Sequence, residues 1–169
     1  MSPDFLDLLR ALLGANVRFL VVGAYAVGVH GRPRATKNLD VWVEASAENA
    51  PKVINGLVEF GAPLMGLTEA DLETPGVGLQ IGVEPGRIDV LTKVSGVHFE
   101  DTWPRRVQAN FADGVRCNVI GLKELLQSKR ATGRPPSRSL ADTTTPACTS
   151  KPRTWPLRRW DRGGAGRAS

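Results

Sequence analysis

The sequence predicts one α/β (α+β) domain over residues 1–132, followed by a basic tail over residues 133–169. Two long stretches carry apolar residues at helical spacing, and short apolar runs of strand length are interspersed with them. Two turn signals, Pro85-Gly86 and Asp113-Gly114, each separate a pair of such runs as a hairpin does. Past Thr132 neither periodicity continues.

Ser2 is placed to cap the first helix, with Pro3 at its first position and Asp4 in its first turn. Phe5, Leu8, Leu9, Leu12 and Leu13 form its apolar stripe, and Gly14-Ala15-Asn16 ends it. Residues 18–22 read as a short strand of the kind buried on both faces. Residues 24–30 read as a short helix packed behind Gly23, residues 31–37 as a loop with Arg32, Arg34 and Lys37, and residues 39–44 as the second strand. A second long helix lies within residues 47–60, where Ala50, Val53, Ile54, Leu57 and Val58 share one face. Pro51 restricts its start to the neighbouring first turn, and Gly61 fits its stop. Thr68 caps a further turn over residues 68–73. Residues 77–83 and 87–92 form one expected hairpin, and residues 107–112 and 116–120 another. The last helix covers residues 122–129, with Leu122, Leu125 and Leu126 on one side.

The net charge of +5 is unevenly spread. Residues 1–130 hold 14 Lys/Arg and 15 Asp/Glu, an excess of −1, whereas residues 131–169 hold 8 and 2, an excess of +6. The domain alone therefore lacks the charge of a nucleic-acid-binding fold. The tail is rich in Pro, Arg, Gly, Ser and Thr, and its expected state is mostly disordered, because it buries too little apolar surface to offset ordering entropy. No apolar run approaches the roughly 20 residues of a membrane helix, and the acidic N-terminus is unlike a signal peptide. Cys117 and Cys148 make neither a metal cluster nor a disulfide framework, so a cytoplasmic protein without a membrane partner is expected.

The chemistry concentrates in residues 21–44, VVGAYAVGVHGRPRATKNLDVWVE. A glycine at a strand-to-helix turn lets backbone approach a phosphate, although a tight turn wants the same residue. Strand alternation points Asn38 and Asp40 the same way. Asp40 and Asp89 are each the sole acid of an apolar strand core, LDVWV and RIDVL. A carboxylate there is costly unless it is paired or metal-bound. Magnesium takes one or two carboxylates with phosphate oxygens and water, and two such ions about 3.5–4 Å apart can activate an attacking oxygen and stabilise leaving pyrophosphate. The competing role is an ion pair to Arg34 or Arg87; the metal role is preferred because the glycine turn and both acids agree. Arg34 is a candidate phosphate clamp, against a plainly solvated loop. Lys123, Lys129 and Arg130 are further cations within reach, against solvated helix lysines. Trp42 and Trp103 read as core or groove aromatics, and His30 and His98 form no metal pattern. A dinucleotide-binding unit would use Glu44 as its ribose acid, but Tyr25 stands where the middle glycine must be.

Gly23-Ala24, then Arg34-x-Thr36-x-Asn38-x-Asp40, then Asp89 resemble the minimal nucleotidyltransferase superfamily, most of all bacterial nucleotidyltransferases of the AbiEii toxin type, over residues 17–134. The resemblance implies a polymerase-beta-like fold, with a mixed sheet backed by helices. It implies transfer of a nucleotide from a nucleoside triphosphate to RNA, protein or a small acceptor, with Mg2+ or Mn2+. It also implies a toxin–antitoxin or phage-defence role, with a cognate antitoxin or other partner protein. Carried over by position, Gly23, Ala24, Arg34 and Thr36 would bind the nucleotide. Asn38 and Asp40 would occupy the family's D-x-D pair, and Asp89 would be the third carboxylate. These three would hold metal, with Asp40 and Asp89 catalytic and Asp89 helping to activate the acceptor hydroxyl.

Three positions depart from that pattern. Ala24 replaces a Gly or Ser and removes a hydroxyl. Asn38 replaces the first acid; its amide oxygen can ligate a cation but brings no charge. After residues 129–135 the relatives' acidic helix gives way to Arg/Pro/Thr-rich sequence, read either as a frameshifted end or as a basic RNA-binding arm. Asn38 thus leaves two further readings open beside the enzyme: a binding module on the same fold, and a nucleic-acid binder acting through its tail.

Overall fold

The computed structural model describes residues 1–31, 35–133 and 157–161. Helices α1 (Pro3–Gly14), α2 (Gly23–Val29), α3 (Ala50–Phe60), α4 (Glu69–Glu73), α5 (Phe99–Thr102) and α6 (Leu122–Ala131) accompany strands β1 (Phe19–Val22), β2 (Asn38–Val43), β3 (Val77–Ile81), β4 (Arg87–Leu91), β5 (Val107–Asn110), β6 (Arg116–Val119) and β7 (Leu157–Asp161). Among the described residues the strands form one mixed sheet in the order β5-β6-β1-β2-β4-β3-β7. The protein is therefore of the α+β class.

Local chemistry sets the helix ends where the sequence predicts them. Pro3 and Asp4 open α1, and its Leu8, Leu9 and Leu12 are fully buried. Burying each such side chain contributes roughly 1.5–3 kcal/mol. Gly61 ends α3 in the left-handed region at φ 82°. Thr68 and Asp71 close a capping box: Asp71 N–H donates to Thr68 Oγ1 at 3.3 Å, and Thr68 N–H donates to Asp71 Oδ2 at 2.8 Å.

Helices α1 and α3 meet at Gly56, where a side-chain carbon would come within 3.0 Å of Leu12 Cδ2 and 3.3 Å of its Cα. Seating Gly56 on α1 turns α3 so that Ala50, Val53 and Leu57 are buried, while Val58, expected on the same stripe, is exposed. The apolar stripe of α6 is likewise narrower than predicted. Leu125 is buried but Leu122 and Leu126 are exposed, and Glu124 and Ser128 complete the inner face. On that inner face the buried Glu124 carboxylate accepts from Arg105 Nη1 at 3.1 Å.

All four residues of β1 are buried, as a central strand requires. It pairs antiparallel with β2, Val22 opposite Asp40, and parallel with β6. Strand β2 in turn pairs parallel with β4, placing Asn38 beside Arg87 and Asp40 beside Asp89. Both expected hairpins form, β3 with β4 and β5 with β6. The antiparallel β1–β2 pair is incompatible with a dinucleotide-binding unit, whose first two strands run parallel. Tyr25 instead packs edge-on between Phe5 and Phe111.

At the sheet end marked by the start of β1, Arg18 donates to Glu44 Oε1 at 2.6 Å and pairs with Glu100 at 3.2 Å. Its guanidinium lies over the Trp103 ring, which stacks on Phe99. Trp42 is core, as expected, its Nε1 without a hydrogen-bond partner among the described residues, and packs edge-on against Phe99. In the tail, residues 157–161 pair antiparallel with β3. Pairing of this kind uses backbone groups of an exposed strand edge and needs no apolar periodicity to announce it. The rest of the tail lies outside the described residues.

Candidate functional site

The opposite end of the sheet, where β1 ends and β2 begins, opens into a cleft of about 550 Å3, a size typical of small-molecule sites. Gly23, Ala24, Thr36, Asn38 and Asp40, all expected at the site, line it. Arg34 lies outside the described residues. Asp89 is set beside Asp40 by the β2–β4 register and is largely buried.

Gly23 starts α2 at φ 65°, a conformation that glycine adopts at little cost. Its α-carbon packs directly on the Asp40 carboxyl group, so any side-chain carbon would come within 2.8 Å of Asp40 Cγ. Strand β1 delivers Gly23 and the adjacent antiparallel strand delivers Asp40, so the turn and the acid arrive as a unit. The Thr36 hydroxyl donates to the Asn38 carbonyl at 2.9 Å and accepts from the Asn38 N–H at 3.3 Å, shaping the entry into β2. Gly86 N–H donates to the Lys37 carbonyl at 2.9 Å and ties the basic loop to the β3–β4 turn.

Arg87 links two of the positions predicted to hold metal. Its Nε donates to Asp89 Oδ2 at 3.1 Å, and its Nη2 forms an ion pair with the same oxygen at 3.0 Å. The Asn38 amide sits with Oδ1 accepting from Arg87 Nη2 at 2.8 Å and Nδ2 donating to the Lys37 carbonyl at 3.0 Å. Glu84 Oε1 lies 3.3 Å from the amide atom that faces Arg87, and the closer, charged Arg87 contact decides that this atom is the oxygen. Arg87 thus occupies the Asn38 amide oxygen and one oxygen of Asp89. Among the described residues no group of three or more His, Cys, Asp or Glu is arranged to hold a metal. Asp40 and Asp89 stand side by side as register partners, Asp40 lining the cleft and Asp89 largely buried behind its ion pair with Arg87.

Sequence reasoning weighed Arg87 only as an ion-pair partner and passed over Lys93 and Ser95, which line the cleft. A signal for two of them was present: Arg87, Asp89, Leu91 and Lys93 alternate along one strand and its exit. Lys129, named among the helix cations, also lines the cleft, whereas Lys123 and Arg130 do not. His30 is structural: its Nε2 donates to the Ile120 carbonyl at 2.8 Å, fastening the end of α2 to the entry of α6. No described helix is long and apolar enough to cross a membrane. Compared with protein-family models and with curated proteins, the chain matches none.

Proposed function

We propose that this protein is a nucleotidyltransferase of the polymerase-beta-like type, which binds a nucleoside triphosphate in the Gly23–Asp40 cleft and transfers its nucleotide to an RNA, protein or small acceptor. The observation that carries this reading is the register pairing of Asp40 with Asp89 on neighbouring parallel strands, beside a positive-φ glycine packed on the Asp40 carboxylate. The cleft has the volume for a nucleotide and a wall carrying Lys37, Lys93 and Lys129 for its phosphates. A magnesium or manganese ion arriving with the triphosphate would be held by Asp40 and Asp89 and would offset phosphate charge. Gly23 would admit the phosphates close to backbone, and Asp89 would take the proton of an acceptor hydroxyl. Such a protein would serve a toxin–antitoxin or phage-defence system, with a cognate antitoxin as partner.

The test is transfer of α-labelled nucleotide from each of four triphosphates to total RNA and to protein. Label incorporated by the wild type and lost in Asp40→Asn supports the reading. A folded wild type that transfers none of them contradicts it.

A second reading, a nucleotide-binding module without turnover, is favoured by one observation: Arg87 engages both Asn38 and Asp89. Asn38→Asp separates the two, because a module with an emptied metal position gains turnover only with that acid restored.

A further inference from the structure

We propose that Arg87 is a built-in cation of this site, standing electrostatically where a second metal ion would, so that the cleft binds the triphosphate of a nucleotide without any divalent cation. The proposal rests on the nucleotide-binding reading above and goes beyond it, because it assigns a role to a residue outside the resemblance and changes what binding requires.

Three observations converge. The first is position: the β2–β4 register sets Arg87 beside Asn38 as it sets Asp89 beside Asp40. Its guanidinium thus reaches the Asn38 amide oxygen at 2.8 Å and Asp89 Oδ2 at 3.0 Å. An ion shared by the first and third carboxylates of an all-acid site would face these same two groups. Asn38 is the substitution such an exchange requires: a neutral amide accepts from a guanidinium without adding a further negative charge at the phosphate site.

The second observation is access. Arg87 is not sealed behind its partners; its side chain is 31% exposed and lines the cleft. A guanidinium carries five N–H donors in a planar fork suited to phosphate oxygens, and it is charged at every physiological pH. Two of its three nitrogens are engaged by Asn38 and Asp89, which hold the plane in place, while Nη1 stands 3.8 Å from Glu84.

The third is charge balance. Among the described lining residues four are cationic, Lys37, Arg87, Lys93 and Lys129, and two are carboxylates, Asp40 and Glu84. Here the protein itself supplies the positive field.

The experiment is calorimetric titration of ATP, GTP, CTP and UTP into the full chain, once in EDTA and once in magnesium. The wild type is expected to bind one triphosphate in EDTA within about threefold of its magnesium affinity, because side-chain cations supply the charge. Arg87→Gln is expected to weaken binding in EDTA by at least about tenfold, the size of a charge-assisted hydrogen-bond loss. Arg87→Lys keeps the charge and is expected to retain most of the EDTA binding. Asn38→Asp adds an acid beside Arg87 and should make binding depend on magnesium, which provides a readout if Arg87→Gln fails to fold. Wild-type binding seen only with magnesium overturns the proposal and leaves the nucleotide reading standing. Binding of no triphosphate in either buffer overturns both. Equal EDTA affinity in wild type, Arg87→Gln and Asn38→Asp also overturns the role of Arg87.

Discussion

The Gly23 α-carbon and the Asp40 carboxyl group are packed in contact, so closely that a methyl group on Gly23 would meet Asp40 Cγ at 2.8 Å. Gly23 is thus held to glycine twice, by its φ of 65° and by its neighbour. Gly23→Ala is expected to lower stability by roughly 2–4 kcal/mol, combining the left-handed backbone cost with overpacking. In an Asp40→Ala background the same change should cost about 1 kcal/mol less, because the clash with the carboxyl group is gone while the left-handed backbone cost and the 3.1 Å contact to the residue-40 Cβ remain. Denaturant unfolding of the four proteins of this cycle measures the coupling, and strictly additive losses would refute the contact.

Arg87 should matter to the fold as well as to binding. Asp89 is largely buried and Arg87 approaches it with two nitrogens. Arg87→Met is expected to reduce stability by about 1–3 kcal/mol, less than a fully buried pair would lose, since Arg87 is partly exposed to screening solvent. Asp89→Asn in the same chain should recover part of that loss, because no carboxylate then remains to be compensated. Unfolding curves in which the double variant loses the full sum would rule this pairing out as a stabilising contact.

These relationships mark the limit of what the sequence discloses. The start of α1 at Pro3, the stop of α3 at Gly61 and the Thr68–Asp71 box depend on residues within a turn of one another, and each is legible from the chain alone. Gly23, Asn38 and Asp40 are legible as one site because the turn and the strand lie close in sequence. Asp89 joins them as an acid of a strand core and through the resemblance, but the register that sets it directly beside Asp40 depends on β4 lying parallel beside β2, a non-local choice that no local periodicity encodes. The Arg87–Asn38 contact follows from the same register and was hidden with it. Leu122 and Leu126 mislead for a related reason: hydrophobic spacing marks a stripe, but which part of it is covered depends on tertiary packing, which here buries Glu124 and Ser128 beside Leu125.

Cys117 offers a check on the packing of β6. It is buried, and removal from water pushes its thiol up to about 12. Reactivity follows the thiolate, which is then scarce at pH 8. Native protein treated with iodoacetamide at pH 8 should leave Cys117 unmodified, and denatured protein should label it fully, as read by peptide mass spectrometry. Rapid native labelling would show that β6 is not packed as described.

The Arg18 end of the sheet should respond to pH through Glu44. Burial, and then a hydrogen bond with the Glu100 carboxyl group, raises the Glu44 carboxyl above its ordinary value, while the same bond lowers Glu100. A raised acid contributes stability that is fully present below its unfolded value, near pH 4.3, and that fades as pH rises through its folded value. The lowered Glu100 acts in the opposite sense, losing its contribution as pH falls through its folded value. Glu44→Gln removes the first effect, so the loss of stability relative to wild type should be greatest at acid pH and shrink toward neutrality. Thermal unfolding between pH 3.5 and pH 7 reads this directly, and a loss that grows toward neutrality would contradict it.

The central claim is that the cleft beside Gly23 and Asp40 receives a nucleotide. The most direct measurement follows the backbone amide resonances of the full chain while each of the four nucleoside triphosphates is added. One triphosphate is expected to shift Gly23, Ala24, Asn38 and Lys93 while Arg18, Glu44 and Trp103, at the far end of the sheet, stay in place. Resonances that do not move with any triphosphate, or shifts confined to the Arg18–Trp103 end, would contradict the account.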